Sequence, residues 1–259
     1  MLQASPFALY IATVTRSAVS LVPTAQYTKA LQYGQGTWVN PIVSKTACDD
    51  FDYVTCDSQG NIVDLQLAMH AFSGPLPDSI KNLPLLEKLR LGSNQFTGQL
   101  HSSIFASPYL KEASFFKNQF TGEVPCMNHS EPELNYISIS YNHFTGGLKP
   151  CLFTDAPKLE QLYLNYVELD TAIPPEIKEA TELKQMQAMH AGIHGALPLD
   201  LMCMSKLFEL SLPRNKLSGS IPQIVLNGWK KIYRLNLDDN QLSGQLPMLD
   251  WHTPVSVMA

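Results

Sequence analysis

The stretch LEKLRLGSNQFTGQL, residues 86–100, decides the fold, because its second half is written twice more, as NQFTGEVP from Asn118 and NHFTGGL from Asn142. Self-similarity at a fixed interval is the mark of a repeat architecture. Written L-x-x-L-x-L-x-x-N-x-F/L-x-G-x-L/I-P, the frame puts its Asn column at His70, Asn94, Asn118, Asn142, Val167, Ala191, Asn215 and Asn240, spaced 24, 24, 24, 25, 24, 24 and 25 residues apart. The Gly four residues later recurs at Gly74, Gly98, Gly122, Gly146, Gly195, Gly219 and Gly244, so one register holds across about eight units.

The apolar letters describe the unit. Leu86, Leu89 and Leu91 return as Leu110, Ala113 and Phe115, then as Leu134, Ile137 and Ile139, and finally as Ile232, Leu235 and Leu237. The closing L-x-L has the two-residue period of a short strand with one buried face. A single unit cannot bury that face, whereas stacked units make a continuous core and line their strands into a parallel sheet. The expected fold is an α/β solenoid.

The polar letters have mechanical roles. An Asn amide donates and accepts at once, so it can satisfy backbone groups at the corner after the strand and on the next coil. The Gly column predicts positive φ or close backbone approach, and the Pro column (Pro77, Pro125, Pro174, Pro198, Pro222 and Pro247) holds φ extended and withholds a donor. Val167, Thr171 and Ala191 interrupt the Asn and Gly columns, through drift or through a local widening for a ligand.

Composition narrows the partners. With 45% hydrophobic and 16% charged residues, the 259-residue chain has material for a large core. Its formal net charge is −5 and its Lys and Arg are scattered, which excludes a phosphate-backbone footprint and hence nucleic acid as the expected partner. No run of about 20 apolar residues is present to span a membrane.

LPLLEKLRLGSNQFTGQL, together with LNLDDNQLSGQLP near residue 240, resembles the plant-specific class of leucine-rich repeat over residues 48–249. That class includes receptor-like kinase ectodomains, polygalacturonase-inhibiting proteins and surface proteins of some protists. The resemblance implies a right-handed horseshoe of about eight 24-residue coils with the parallel sheet on its concave face. It also implies an N-terminal cap at 34–61, in which Cys48 and Cys56 form a disulfide. Phe51 and Tyr53 stand where the family usually carries Trp and Gly, Trp38 lies upstream, and the spacing is one residue longer than the familiar form. The remaining segments are a leader at 1–33, read as a weak signal peptide, a cap helix or a truncated gene start; the solenoid at 62–250; and a tail at 251–259.

Five cysteines leave one unpaired within the chain. Cys126 and Cys151 follow Pro125 and Pro150 in consecutive units, so a bridge between them and a pair of buried thiols are both open. Cys203, beside Leu201 and Met204, is expected as a packed free thiol. Asn128-His129-Ser130 is a glycosylation sequon if the chain is secreted.

Function is expected on residues between and just after the strand leucines. Aromatics gather there in the middle units: Phe116, Tyr136, Tyr141, Tyr163 and Tyr166, with Met189, His190 and Arg214 beside them. Tyr and Phe carry much of the energy at protein interfaces, although rings on neighbouring strands also stabilise each other. No hydrolase elbow, zinc-protease motif, phosphate loop or kinase signature occurs, and no metal or cofactor is expected. The expected function is a non-catalytic module, extracellular or at the cell surface, that binds a protein, peptide or glycan. The alternatives are an inhibitor of a secreted hydrolase and a cytoplasmic interaction scaffold.

Overall fold

A computed structural model describes residues 48, 53–76, 78–127, 133–245 and 256–258. The leader, Trp38, Phe51 and the sequon at Asn128 lie outside these residues.

The L-x-L segments form the main sheet. Ile62–Gln66, Lys88–Arg90, Glu112–Ser114, Tyr136–Ser138, Gln161–Tyr163, Gln185–Gln187, Glu209–Ser211 and Arg234–Asn236 pair in parallel, each with the next. The register aligns Leu65, Leu89, Ala113, Ile137, Leu162, Met186, Leu210 and Leu235 in one buried column. Alternation does the rest: the residues on either side of this column lie on the opposite face of the sheet, most of them partly exposed and Ser138, Glu209 and Ser211 covered by their neighbours, while Leu91 and its equivalents turn back into the core.

Both edges of this sheet are extended. Val54–Cys56 runs antiparallel to the first parallel strand, and the Cys48–Cys56 disulfide, with Cα atoms 5.7 Å apart, ties it down. Ser256–Met258, in the segment read as a tail, pairs in parallel with Arg234–Asn236 and sets Val257 in register with Leu235. The sheet therefore has ten strands among the described residues.

The NQFTGQL corner, with Phe96 and Leu100 inward and Gly98 at positive φ, also forms a strand. Gln95–Gln99 pairs with Ser73–Pro75 on one side and Gln119–Gly122 on the other, and His143–Phe144 completes a four-stranded lateral sheet. A second lateral sheet joins His194–Gly195, Lys216–Gly219 and Gln241–Leu242. Between the two sheets only the bridge Thr171–Ile193 forms, on the coil where Thr171 replaces Gly. The seven Gly of the column all hold φ between 76° and 89°, as expected. Among the described residues six coils return through a short 3-10 or α segment; Pro174, Pro198 and Pro222, with φ near −70°, stand immediately before three of them.

The Asn column makes the expected ladder, but its inter-coil bonds run to the preceding coil. Asn118 Nδ2 donates to Leu91 O (2.9 Å) and to its own coil's Phe115 O (3.1 Å), and its Oδ1 accepts from Phe96 N (3.0 Å). Asn94, Asn142, Asn215 and Asn240 repeat the scheme. Inside the ladder the rings of Phe72, Phe96, Phe120 and Phe144 stack with centroids 6.0–6.1 Å apart. Leu169 and Ile193 continue that position in aliphatic form.

The cysteines resolve as follows. Cys126 and Cys151 are bridged, with Cα atoms 5.5 Å apart across neighbouring coils. Cys203 is free but exposed, contrary to the packed thiol expected. It ends the 3-10 helix Leu199–Cys203, whose three-residue period turns Leu201 and the following Met204 inward and leaves Met202 and Cys203 outside. No helix among the described residues is long and apolar enough to cross a membrane.

Asn118→Ala strips several buried backbone groups of their partners at once and is expected to destabilise the chain by about 3 kcal/mol in urea denaturation. Asn240→Ala, on a half-buried rung, is expected to cost less; an equal or larger effect there would contradict the ladder as drawn.

Candidate functional site

Four predicted residues join into one row. Phe116 meets Tyr141 edge-on at 5.4 Å, Tyr141 stacks on Tyr166 at 4.7 Å, and Tyr166 lies 5.7 Å from His190. Phe116 and Tyr141 keep 37% and 45% of their surface exposed, so contact with each other leaves much of both rings facing solvent. Contacts of this kind add about 0.5–1.5 kcal/mol per aromatic pair, which stiffens the row.

A backbone feature aims these side chains. Met69, Ser93, Lys117, Tyr141, Tyr166, His190, Arg214 and Asp239 all have φ between 51° and 63°, one per coil, directly before the Asn column. The left-handed conformation is strained for residues other than Gly and persists only where its surroundings enforce it. Each turn from Met69 to Arg214 donates its N–H to the following coil: Lys117 to Ser140 O (2.9 Å), Tyr141 to Asn165 O (2.8 Å), Tyr166 to Met189 O (2.8 Å) and His190 to Pro213 O (3.1 Å) among them. The rings of Tyr141, Tyr166 and His190 therefore project from locked turns at the margin of the sheet.

The other predicted residues sit apart. Tyr136 and Tyr163 form a separate, half-buried pair at 5.4 Å on the strands, and burial raises the pKa of both phenols. Met189 is half-buried, its N–H bonded to Asn165 Oδ1 (2.8 Å), while Asn165 N donates to Ser140 Oγ (2.9 Å). Arg214 is exposed one coil beyond His190, 4.0 Å from the Asp239 carboxylate.

The sheet face also carries a polar network that the aromatic pattern does not reveal. The Tyr163 hydroxyl donates to Gln185 Oε1 (2.9 Å), Gln185 Nε2 donates to Glu209 Oε2 (2.9 Å), and Gln187 Nε2 donates to Glu209 Oε1 (3.1 Å). Glu209 is buried and also ion-paired with Arg234 at 3.5 Å. At the other end of the sheet Arg90 bridges Asp64 (3.1 Å) and Glu112 (2.5 Å). Among the described residues the trio Cys126, Cys151 and Asp155 has metal-ligand spacing, but its sulfurs are bonded to each other and offer no thiolate.

No protein-family model matches the chain, and no curated protein matches it. Solved structures do. The plant peptide hormone receptor RGFR1, in complex with RGF2, is 26% identical with a TM-score of 0.64, over 68% of this chain and 28% of that one. The Arabidopsis receptor kinase HAESA, in complex with the peptide hormone IDA and the co-receptor SERK1, is 25% identical with a TM-score of 0.65, over 79% of this chain and 38% of that one. The chain is a leucine-rich repeat protein resembling the plant class. A plant ice-binding protein shares the leucine-rich repeat chain's fold at 21% identity and a TM-score of 0.56, over 80% of this chain and 82% of that one. The leucine-rich repeat chain thus spans well under half of either receptor.

Burial pushes the Asp64 carboxyl above its ordinary value of 3.8, against the pull of Arg90. The folded state then holds this proton more tightly than the unfolded chain, so the group's contribution to stability declines as pH rises from that value through the raised one. Arg90→Met is expected to move the Asp64 titration, followed by carboxyl NMR, still higher; a downward move would contradict the assigned cause.

Proposed function

We propose that the chain is a non-catalytic recognition module, extracellular or at a cell surface, that binds a peptide or protein along the row Phe116, Tyr141, Tyr166 and His190. The observation that carries this reading is the row itself, a stiff, solvent-facing strip of rings on consecutive coils, three of them, Tyr141, Tyr166 and His190, held by locked turns. Exposed contiguous rings of this kind are where binding energy concentrates at interfaces. Pre-organised turns reduce the ordering that a ligand must otherwise impose. The likeness to RGFR1 and HAESA, each solved with a peptide hormone, supports a peptide as the occupant. The two disulfides support an oxidising compartment, since such bonds persist there and are rare in the cytosol.

Two measurements test the reading. The intact chain, used as bait on extracellular material from its source, is expected to capture a peptide or protein that Tyr141→Ala/Tyr166→Ala retains at least about tenfold less well. Equal capture by both would overturn the site. Thiol titration without reductant is expected to find one reactive group, Cys203, in native and denatured protein alike, and five under denaturing conditions would overturn the extracellular assignment.

A further inference from the structure

The turn column that carries the rings also carries charge. Across consecutive coils it runs Lys117, Tyr141, Tyr166, His190, Arg214, so the rings lie between two cations. Lys117 is exposed and takes part in no ion pair among the described residues. Arg214 has its side chain 60% exposed, and its contact with Asp239 at 4.0 Å joins two solvated groups, which bind each other weakly.

Most of the nearby carboxylates are occupied or peripheral, whereas Asp238 and Asp239 stand exposed on the coil after Arg214. Asp64 and Glu112 are held by Arg90, Glu209 by Arg234 and the two glutamines, and Asp170 lies 3.7 Å from Lys216. Glu168 is exposed two residues beyond Tyr166, on the lateral side of the row. From Phe116 to Pro213 the column next to the rings reads Ser140, Asn165 and Met189, without charge. A chain of formal net charge −5 thus presents Lys117, without an ion pair among the described residues, at one end of this strip and, at the other, Arg214 with the exposed Asp238 and Asp239 one coil beyond it.

The geometry points to an acidic, extended peptide segment as the occupant, with one carboxylate at Lys117, apolar or aromatic side chains over Tyr141 and Tyr166, and a second carboxylate at Arg214. This inference rests on the recognition reading above and adds the ligand's chemistry to it. The turn N–H groups from Met69 to Arg214 are spent on coil-to-coil bonds, so the ligand is read through side-chain rings and charges. Four coil steps at ~4.8 Å span ~19 Å from Lys117 to Arg214, which an extended chain covers in about six residues at ~3.4 Å each. The two acids of the ligand therefore stand about five or six positions apart.

The test is fluorescence anisotropy on the full chain with two labelled, end-capped octapeptides. They share an apolar centre of Val and Phe and differ only in carrying Glu or Lys at the second and seventh positions. The acidic peptide is expected to bind about tenfold more tightly, with the preference shrinking as salt rises. Lys117→Asn/Arg214→Asn is expected to equalise the two peptides, and Lys117→Glu/Arg214→Glu to invert them. Asn tolerates the left-handed backbone at both positions, so the first variant is expected to keep its fold. A preference for the acidic peptide that survives in the Asn variant, or no binding of that peptide at all, overturns the proposal. Equal binding of both peptides also overturns it. If Tyr141→Ala/Tyr166→Ala then abolishes that equal binding, only the charge bracket has failed; if it does not, the recognition row has failed with it.

Discussion

A chain that turns after every short strand buries backbone N–H and C=O groups at each corner, and those groups need partners. The Asn amide supplies them in this protein, bonding carbonyls of its own and the preceding coil and accepting an N–H from the preceding coil. The register of the main sheet, the stack of Phe rings behind it and the left-handed turn in front of it all depend on this corner closing in the same way each time. Hydrophobic burial supplies the driving force, but it is indifferent to direction. Where Asn is present, the amide bonds fix the spacing and brace the turn.

The corner is altered where the candidate site lies. Tyr166 directly precedes Val167 and His190 directly precedes Ala191, so two groups of the row stand beside rungs without Asn. Other bonds take over there: Leu169 N donates to Ala191 O at 3.2 Å, and Ser140 and Asn165 relay hydrogen bonds on the strand side. The lateral sheet does not survive the change, because Thr171 stands where the other coils hold Gly at positive φ. The turn geometry does survive, with φ of 54° at Tyr166 and 51° at His190. An irregular scaffold therefore still presents its side chains in line.

Much of this was legible in the residues. Gly98 and Gly122 announced positive φ, Leu89 and Ile137 announced the buried column, and Asn94 and Asn118 announced a ladder, because each has a repeating local cause. The site was legible only in part. Phe116, Tyr141, Tyr166 and His190 were visible as exposed letters, but no pattern said that they would form one row while Tyr136 and Tyr163 formed another pair. The buried Glu209 was hidden as well, since a carboxylate at a strand position reads as solvated until its glutamine and arginine partners are placed beside it. Cys203 was misread and the lateral pairing of NQFTGQL unseen for one reason: apolar neighbours and a turn-forming Gly describe a short stretch, whereas exposure and lateral pairing depend on the coil next door.

By itself, then, the sequence determined the repeat length, the inward column and the corner chemistry, because these follow from residue type at fixed spacing within one coil. Only the tertiary structure decided which residues of neighbouring coils meet: the bond between Cys126 and Cys151, the strands made by the NQFTGQL corners, and the joining of rings on successive turns. Those contacts are set by the stacking distance and by the left-handed turn, and residues 24 or 25 positions apart encounter each other only once the coils have stacked.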